Sequence, residues 1–166
     1  MAIPKKIIKF LEKAGVKYEP IEHRTVYTAY DKAATLKVSP KIIGKTLVLK
    51  IDKTFAFVLI PANKNLDKGK FKKIARTKQV DFVKEVWMKK NLKGLKIGAV
   101  PPFGLALFLK RARWKLLTFA DKTLLKEPKI IVGAGNYNWS IKISPAVLKK
   151  IVPDLVTGSF SAAKGS

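Results

Sequence analysis

Four stretches carry residue types and spacings that could act on a ligand. His23, the only histidine, stands in Glu22-His23-Arg24, and Lys45 follows Gly44 at the head of the apolar run Thr46-Leu47-Val48-Leu49. The third is Lys96-Ile97-Gly98-Ala99-Val100-Pro101-Pro102-Phe103-Gly104, and the fourth is Gly133-Ala134-Gly135-Asn136. A lysine at a strand end beside a core can project its ammonium into a cleft, where it meets a phosphate or a polarised carbonyl. A solvated strand-end lysine is the plain alternative. In the third stretch, proline removes backbone donors and fixes φ while glycine permits close approach. That predicts a rigid, exposed wall whose peptide groups face a ligand, against the alternative of a simple connector. The fourth could present consecutive amides as an anion nest, or be an ordinary turn. It is neither GxGxxG nor a P-loop, so no nucleotide cofactor is expected. With no cysteine and few carboxylates near His23, a metal cluster or a Ser-His-Asp relay has little to be built from. A turn histidine closing a strand is the simpler assignment.

The elements that must hold these residues are legible in order. Ile7, Ile8 and Leu11 make one stripe of a helix from Pro4 to Ala14, with Gly15 to end it. Val16 to Ile21 alternates as a strand. Thr28 caps a short helix whose buried face is Ala33, Ala34 and Leu36, and Ser39-Pro40 breaks it. Residues 45–51 and 55–60 form a hairpin around Asp52-Lys53-Thr54, the second run being apolar on both faces and so central. Asp67 opens a helix through Phe71 and Ile74, and short elements follow at 80–83 and 84–90. Further strands are expected at 105–109, 116–119, 130–132 and 139–143, with a last helix from Ser144-Pro145. The pattern predicts an α/β (α+β) domain on a mixed sheet over residues 1–156, with residues 157–166 as a flexible tail.

Charge is the dominant global property. Thirty-five Lys and Arg oppose eleven Asp and Glu, a formal net charge of +24 over 166 residues. Such a field concentrates polyanions, with RNA or DNA phosphate first and an anionic lipid surface second; a lysine coat serving solubility is the plain alternative. Trp87, Trp114 and Trp139 lie in or near basic segments and could stack bases, although core packing explains most tryptophans. No apolar run is long enough for a membrane span and no signal core opens the chain, so a soluble, cytoplasmic protein is expected.

Taken in order, these pieces resemble the YbaK-type aminoacyl-tRNA deacylases, relatives of the editing domain inserted in bacterial prolyl-tRNA synthetases. The likeness rests on Glu22-His23-Arg24, Thr28-Ala29, Ala33-Ala34, Gly44-Lys45-Thr46-Leu47-Val48, Leu66-Asp67, Gly98 to Gly104, Asp121, Gly133 to Asn136 and Ile143-Ser144-Pro145. It covers about residues 5 to 150. The resemblance implies a mixed, partly barrel-like sheet surrounded by helices, with one pocket at its mouth. It also implies hydrolysis of the ester joining a wrong amino acid to the 3′ ribose of a tRNA, of the Ala-tRNA(Pro) or Cys-tRNA(Pro) class. By that likeness Lys45 is catalytic, contacting the terminal adenosine's phosphate or the ester. His23, Thr46, Gly98, Pro101, Phe103 and Gly104 would bind substrate, and Gly133, Gly135, Asn136 and Ser140 would form the opposite wall. Family members often carry Asp or His near Trp139-Ser140, so Ser140 is a departure. Neither metal nor cofactor is implied. The expected partners are the acceptor end of a mischarged tRNA and an aminoacyl-tRNA synthetase, with no membrane. The rival is a module of the same fold that binds RNA without turnover, marked by salt-sensitive affinity and no ester loss.

Overall fold

The computed structural model describes residues 3–92, 95–96, 98–103 and 116–164. Helix α1 (Lys5–Ala14) buries Ile7 and Leu11 completely and stops at Gly15, which takes φ 65°. Strand β1 (Glu19–Glu22) starts later than the alternation at Val16 suggests, because pairing with β8 (Trp139–Ile143) begins at Glu19 opposite Lys142. Val16 and Tyr18 instead pack beside α1. Helix α2 (Ala29–Leu36) is capped by the Thr28 hydroxyl, which accepts from the Asp31 amide at 3.1 Å. A 3₁₀ turn at Pro40–Ile42 follows.

The hairpin forms as expected from β2 (Gly44–Ile51) and β3 (Thr54–Pro61). After β4 (Lys64–Leu66), α3 (Lys68–Ala75), β5 (Val80–Phe82) and α4 (Glu85–Asn91), the chain returns as β6 (Leu116–Asp121), parallel to β3. Helix α5 (Lys122–Leu125), β7 (Ile130–Gly133), β8 and α6 (Pro145–Ile151) lead to β9 (Val156–Gly158) and β10 (Ser161–Ala163). The large sheet has the order β5-β2-β3-β6-β9, so β3 is central, and it mixes antiparallel with parallel pairs. The sheet β1-β8-β7 is antiparallel and joins the first through a parallel bridge between Ile43 and Ile131. The β layer is thus mixed and partly rolled, without closing.

The C-terminal expectation is corrected. Residues 157–163 are not a loose tail: β9 extends the large sheet, β10 pairs with β4, and Phe160 between them is fully buried. Phe160 meets Phe71 edge-on at 5.5 Å, burial worth roughly 2–3 kcal/mol. Its amide donates to the Asp121 carboxylate at 2.9 Å. One bulky residue in a small, polar run decides the segment's fate. The strand expected at residues 105–109, the basic cluster 110–113 and Trp114 lie outside the described residues.

Candidate active site

Strand alternation and pairing assemble the site. Ile130 and Val132 of β7 face one core with Ile141 and Ile143 of β8, whereas Ile131 faces the other side with Ile43, Ala33 and Ala62. Directly paired residues share a face. Ser140 is paired with both Gly133 and Ile21, so it joins the Ile131 side, as does His23 two residues after Ile21. From the parallel bridge Ile43–Ile131, two steps forward bring Lys45 and Gly133 to one level on that same side. Lys45 and His23, 22 positions apart in the chain, therefore open onto one surface, with Ser140 between them.

His23 is not simply a turn residue. Its Nδ1 lies 2.8 Å from the Arg24 carbonyl, an acceptor only, so Nδ1 carries a proton. In the neutral ring Nε2 is then an acceptor, and Ser140 Oγ, 2.8 Å away, donates to it. Ser140 is fully buried. Burial holds the imidazole's pKa below its ordinary value; the Arg24 carbonyl opposes this and the nearby Lys32 charge adds to it. A neutral imidazole so held can accept a proton from the serine hydroxyl, and the group on its Nδ1 is a backbone carbonyl rather than a carboxylate.

Lys45 is half-buried. Its pKa is lowered by burial and then by the Lys164 charge, so its ammonium is poorly solvated and ready to meet an anion. It stands between two clusters on the same sheet side, one under α2 and one under α3 and β10. Lys164, just after β10, lies 5.1 Å from the centre of the Tyr30 ring on α2 and marks the rim.

Sequence reasoning missed Lys32. It is 6% exposed, and its ammonium makes no hydrogen bond or ion pair with a described residue. Burial lowers its pKa to about 8. The signal was present: Lys32 falls three after Ala29 and four before Leu36, on the helix's inner stripe. Ala34, assigned to that stripe, is exposed.

The proline-rich segment differs from expectation. Among its described residues Ala99, Val100 and Phe103 are at most 3% exposed and Pro101 and Pro102 are buried, while Lys96 and Gly98 are exposed. Phe103 packs 5.8 Å from Phe10 in the core with Leu59, so it supports the wall without lining a cleft. Nor does the segment face Gly133 across a gap. A Cβ on Gly133 would sit 2.5 Å from the Ala99 carbonyl oxygen, so the two chains lie in contact and only glycine fits. The Gly135 amide, at φ 91°, donates to that same carbonyl at 2.7 Å, which removes it from any anion nest. Asn136 is buried, and Gly135 abuts Pro4, Ile7 and Leu95. Lip and turn together make a single wall.

Thr46 is separated from Lys45. It pairs with Leu59 and shares the opposite side of the hairpin, where its hydroxyl is buried without a partner among the described residues. Gly104 lies outside the described residues. Gly98, at φ 87°, is fitted against the Tyr27 carbonyl, 2.9 Å from where a Cβ would stand. The stacking expectation fails for Trp139, which packs with the core, while Trp87 stacks on Phe55 at 4.5 Å. Among the described residues no group of three His, Asp or Glu could hold a metal ion. No helix among them is long and apolar enough to cross a membrane.

The aminoacyl-tRNA editing domain model matches residues 23–151, a span that opens on His23 and contains Lys32, Lys45, Gly133 and Ser140. The chain belongs to the aminoacyl-tRNA editing domain family. Its fold is similar to the crystal structure of the hypothetical protein APE2540, with TM-score 0.81, 24% identity, and coverage of 95% of this chain and 99% of that one. It is also similar to a provisionally assigned trans-editing enzyme for prolyl tRNA synthetase, with TM-score 0.77, 20% identity and 96% of each chain covered. No curated protein matches the sequence.

Proposed function

We propose that this protein is a trans-editing hydrolase that cleaves the ester between a wrong amino acid and the 3′ ribose of a tRNA, of the Ala-tRNA(Pro) or Cys-tRNA(Pro) class. The observation that carries it is the His23–Ser140 hydrogen bond on the sheet side that also bears Lys45. An activated ester needs a positioned water, a base and a charge facing the developing oxyanion. In this reading water attacks the ester carbonyl and passes its proton to Ser140 Oγ as the serine proton moves to His23 Nε2. The tetrahedral oxyanion, or the terminal phosphate, rests on Lys45. Collapse breaks the bond to the ribose oxygen, which takes the proton back from His23, leaving a free amino acid and a tRNA 3′ hydroxyl. Gly98 and the wall of the lip and Gly133 bound the acyl group, which is selected by exclusion, since a methylene discriminates by only about 1–3 kcal/mol. The partners are the acceptor end of tRNA and, at that step, an aminoacyl-tRNA synthetase.

The test is release of labelled amino acid from Ala-tRNA(Pro), Cys-tRNA(Pro) and correctly charged Pro-tRNA(Pro). Faster loss from a mischarged tRNA than from Pro-tRNA(Pro) is expected. Loss at the buffer rate from all three overturns the reading in favour of an RNA-binding module, which the complete burial of Ser140 would then explain.

A further inference from the structure

Ester hydrolysis through Ser140, His23 and Lys45 leaves Lys32 without a task. Its side chain is almost wholly buried, yet its ammonium has no hydrogen bond or ion pair with a described residue. Asp31 and Glu22, the acids nearest in sequence, are exposed and neither bonds to it. Three polar side-chain atoms are sealed without a partner among the described residues, on Thr46, Asn63 and Trp139. The Lys32 ammonium is not one of them, so its tip is reached from outside.

Its place on α2 sets which way it opens. Ala29, Ala33 and Leu36 pack with Ile43 and Ile131, on the sheet side that bears His23, Ser140 and Lys45. Thr35 lies on one flank of that stripe, where its hydroxyl accepts from Arg24 Nε at 3.1 Å. Lys32, one turn before Thr35, falls between the stripe and that bond. Tyr30 projects from the opposite flank, beside Lys164. Lys32 therefore opens toward the His23-Arg24 turn, on the Nδ1 side of the imidazole and away from Ser140. Arg24 is exposed, and bonding through Nε leaves its two terminal nitrogens for another acceptor.

A buried cation without an anion loses hydration that the fold does not return, and a helix needing only the stem would be as well served by methionine. An ammonium and a guanidinium on one flank, the first of them desolvated, suit a phosphate. An amino acid's carboxylate is the other small oxyanion at hand, but it is consumed in the ester. A phosphodiester, by contrast, always precedes the terminal nucleoside of an RNA. We propose that Lys32 and Arg24 form a phosphate site that holds this phosphodiester, setting the acylated ribose toward Ser140 and leaving Lys45 for the oxyanion. The identity of the phosphate rests on the editing reading; the site itself is tested without any ester.

Adenosine 5′-monophosphate and adenosine are titrated into the full chain by calorimetry at fixed ionic strength. Wild type is expected to bind the nucleotide about tenfold more tightly than the nucleoside. Lys32→Met should remove about that tenfold and leave adenosine affinity unchanged, a split that a general distortion of the site would not produce. Arg24→Gln, at an exposed position, should weaken the nucleotide severalfold and keeps the test valid if Lys32→Met melts early. Equal affinity of wild type for the two ligands, or unchanged nucleotide affinity in the folded variants, overturns the proposal. So does inorganic phosphate binding as tightly as the nucleotide, or a loss of nucleotide affinity confined to Lys45→Ala. Because no bond is cleaved, failure of deacylation leaves this result standing. An active deacylase whose nucleotide affinity ignores Lys32 and Arg24 refutes the phosphate site alone.

Discussion

Two lysine environments at opposite ends of β2 show how one residue type is put to two uses. In the cleft, Lys32 and Lys45 are wholly or partly withdrawn from water, and both have pKa values pushed down. At the other end of the strand, Lys50 is exposed, as is Lys84 nearby. Burial costs a cation its hydration and leaves it seeking an anion, which is how a site prepares for a charge that develops during reaction. An exposed lysine keeps its water and contributes by releasing counterions from a polyanion. The withdrawn lysines should therefore govern turnover, and the exposed ones residence on RNA.

The sharpest way to break that contrast is Lys45→Ala. Turnover is expected to fall about 10²- to 10³-fold, as when one oxyanion donor is removed, with affinity for uncharged tRNA within a fewfold of wild type. Equal losses in both quantities would make Lys45 another phosphate anchor. Next is Lys32→Met. A lysine whose folded pKa of about 8 lies below its ordinary value of 10.5 opposes folding when charged. The unfolded chain binds that proton more tightly, so wild-type stability should rise as pH climbs from about 8 toward 10.5 and be lowest below 8. Lys32→Met should accordingly be more stable at pH 7, by about 3 kcal/mol at most, and lose that pH dependence; denaturant melts at pH 7 and pH 10 measure both. A variant that gains stability while losing turnover would mark Lys32 as retained for chemistry.

The smaller effects sharpen the contrast. His23 must be neutral to act as a base, so activity should fall as pH drops through a midpoint below the ordinary 6.5. Lys32→Met should move that midpoint upward only in part, because burial is the larger cause of the shift.

Much of the frame was legible from pattern. The hairpin, the central position of β3, and helices α1 and α3 follow from apolar period and caps, each of which acts within a few residues. The place of Lys45 at the head of β2 was legible because a strand head is a local feature. The His23–Ser140 contact was not, since 117 positions separate the two and only the β1–β8 register closes that distance. Lys32 hid among many lysines, although its place on the inner stripe of α2 was readable. The lip was misjudged because Pro-Pro-Phe between glycines reads as an exposed turn. Contact with Gly133 and with Phe10, both remote in sequence, decides which way it faces. The C-terminal segment was misjudged in the same way, through Phe160 finding Phe71 and Phe119.

The most direct measurement is single-turnover release of alanine from Ala-tRNA(Pro) by wild type and by His23→Ala at pH 7.5, with folding of both checked by thermal melts. A neutral imidazole taking the proton through Ser140 predicts a fall of about 10²- to 10⁴-fold in the variant with its melt preserved. Equal rates for the two proteins would contradict the assignment of this pair to the chemistry.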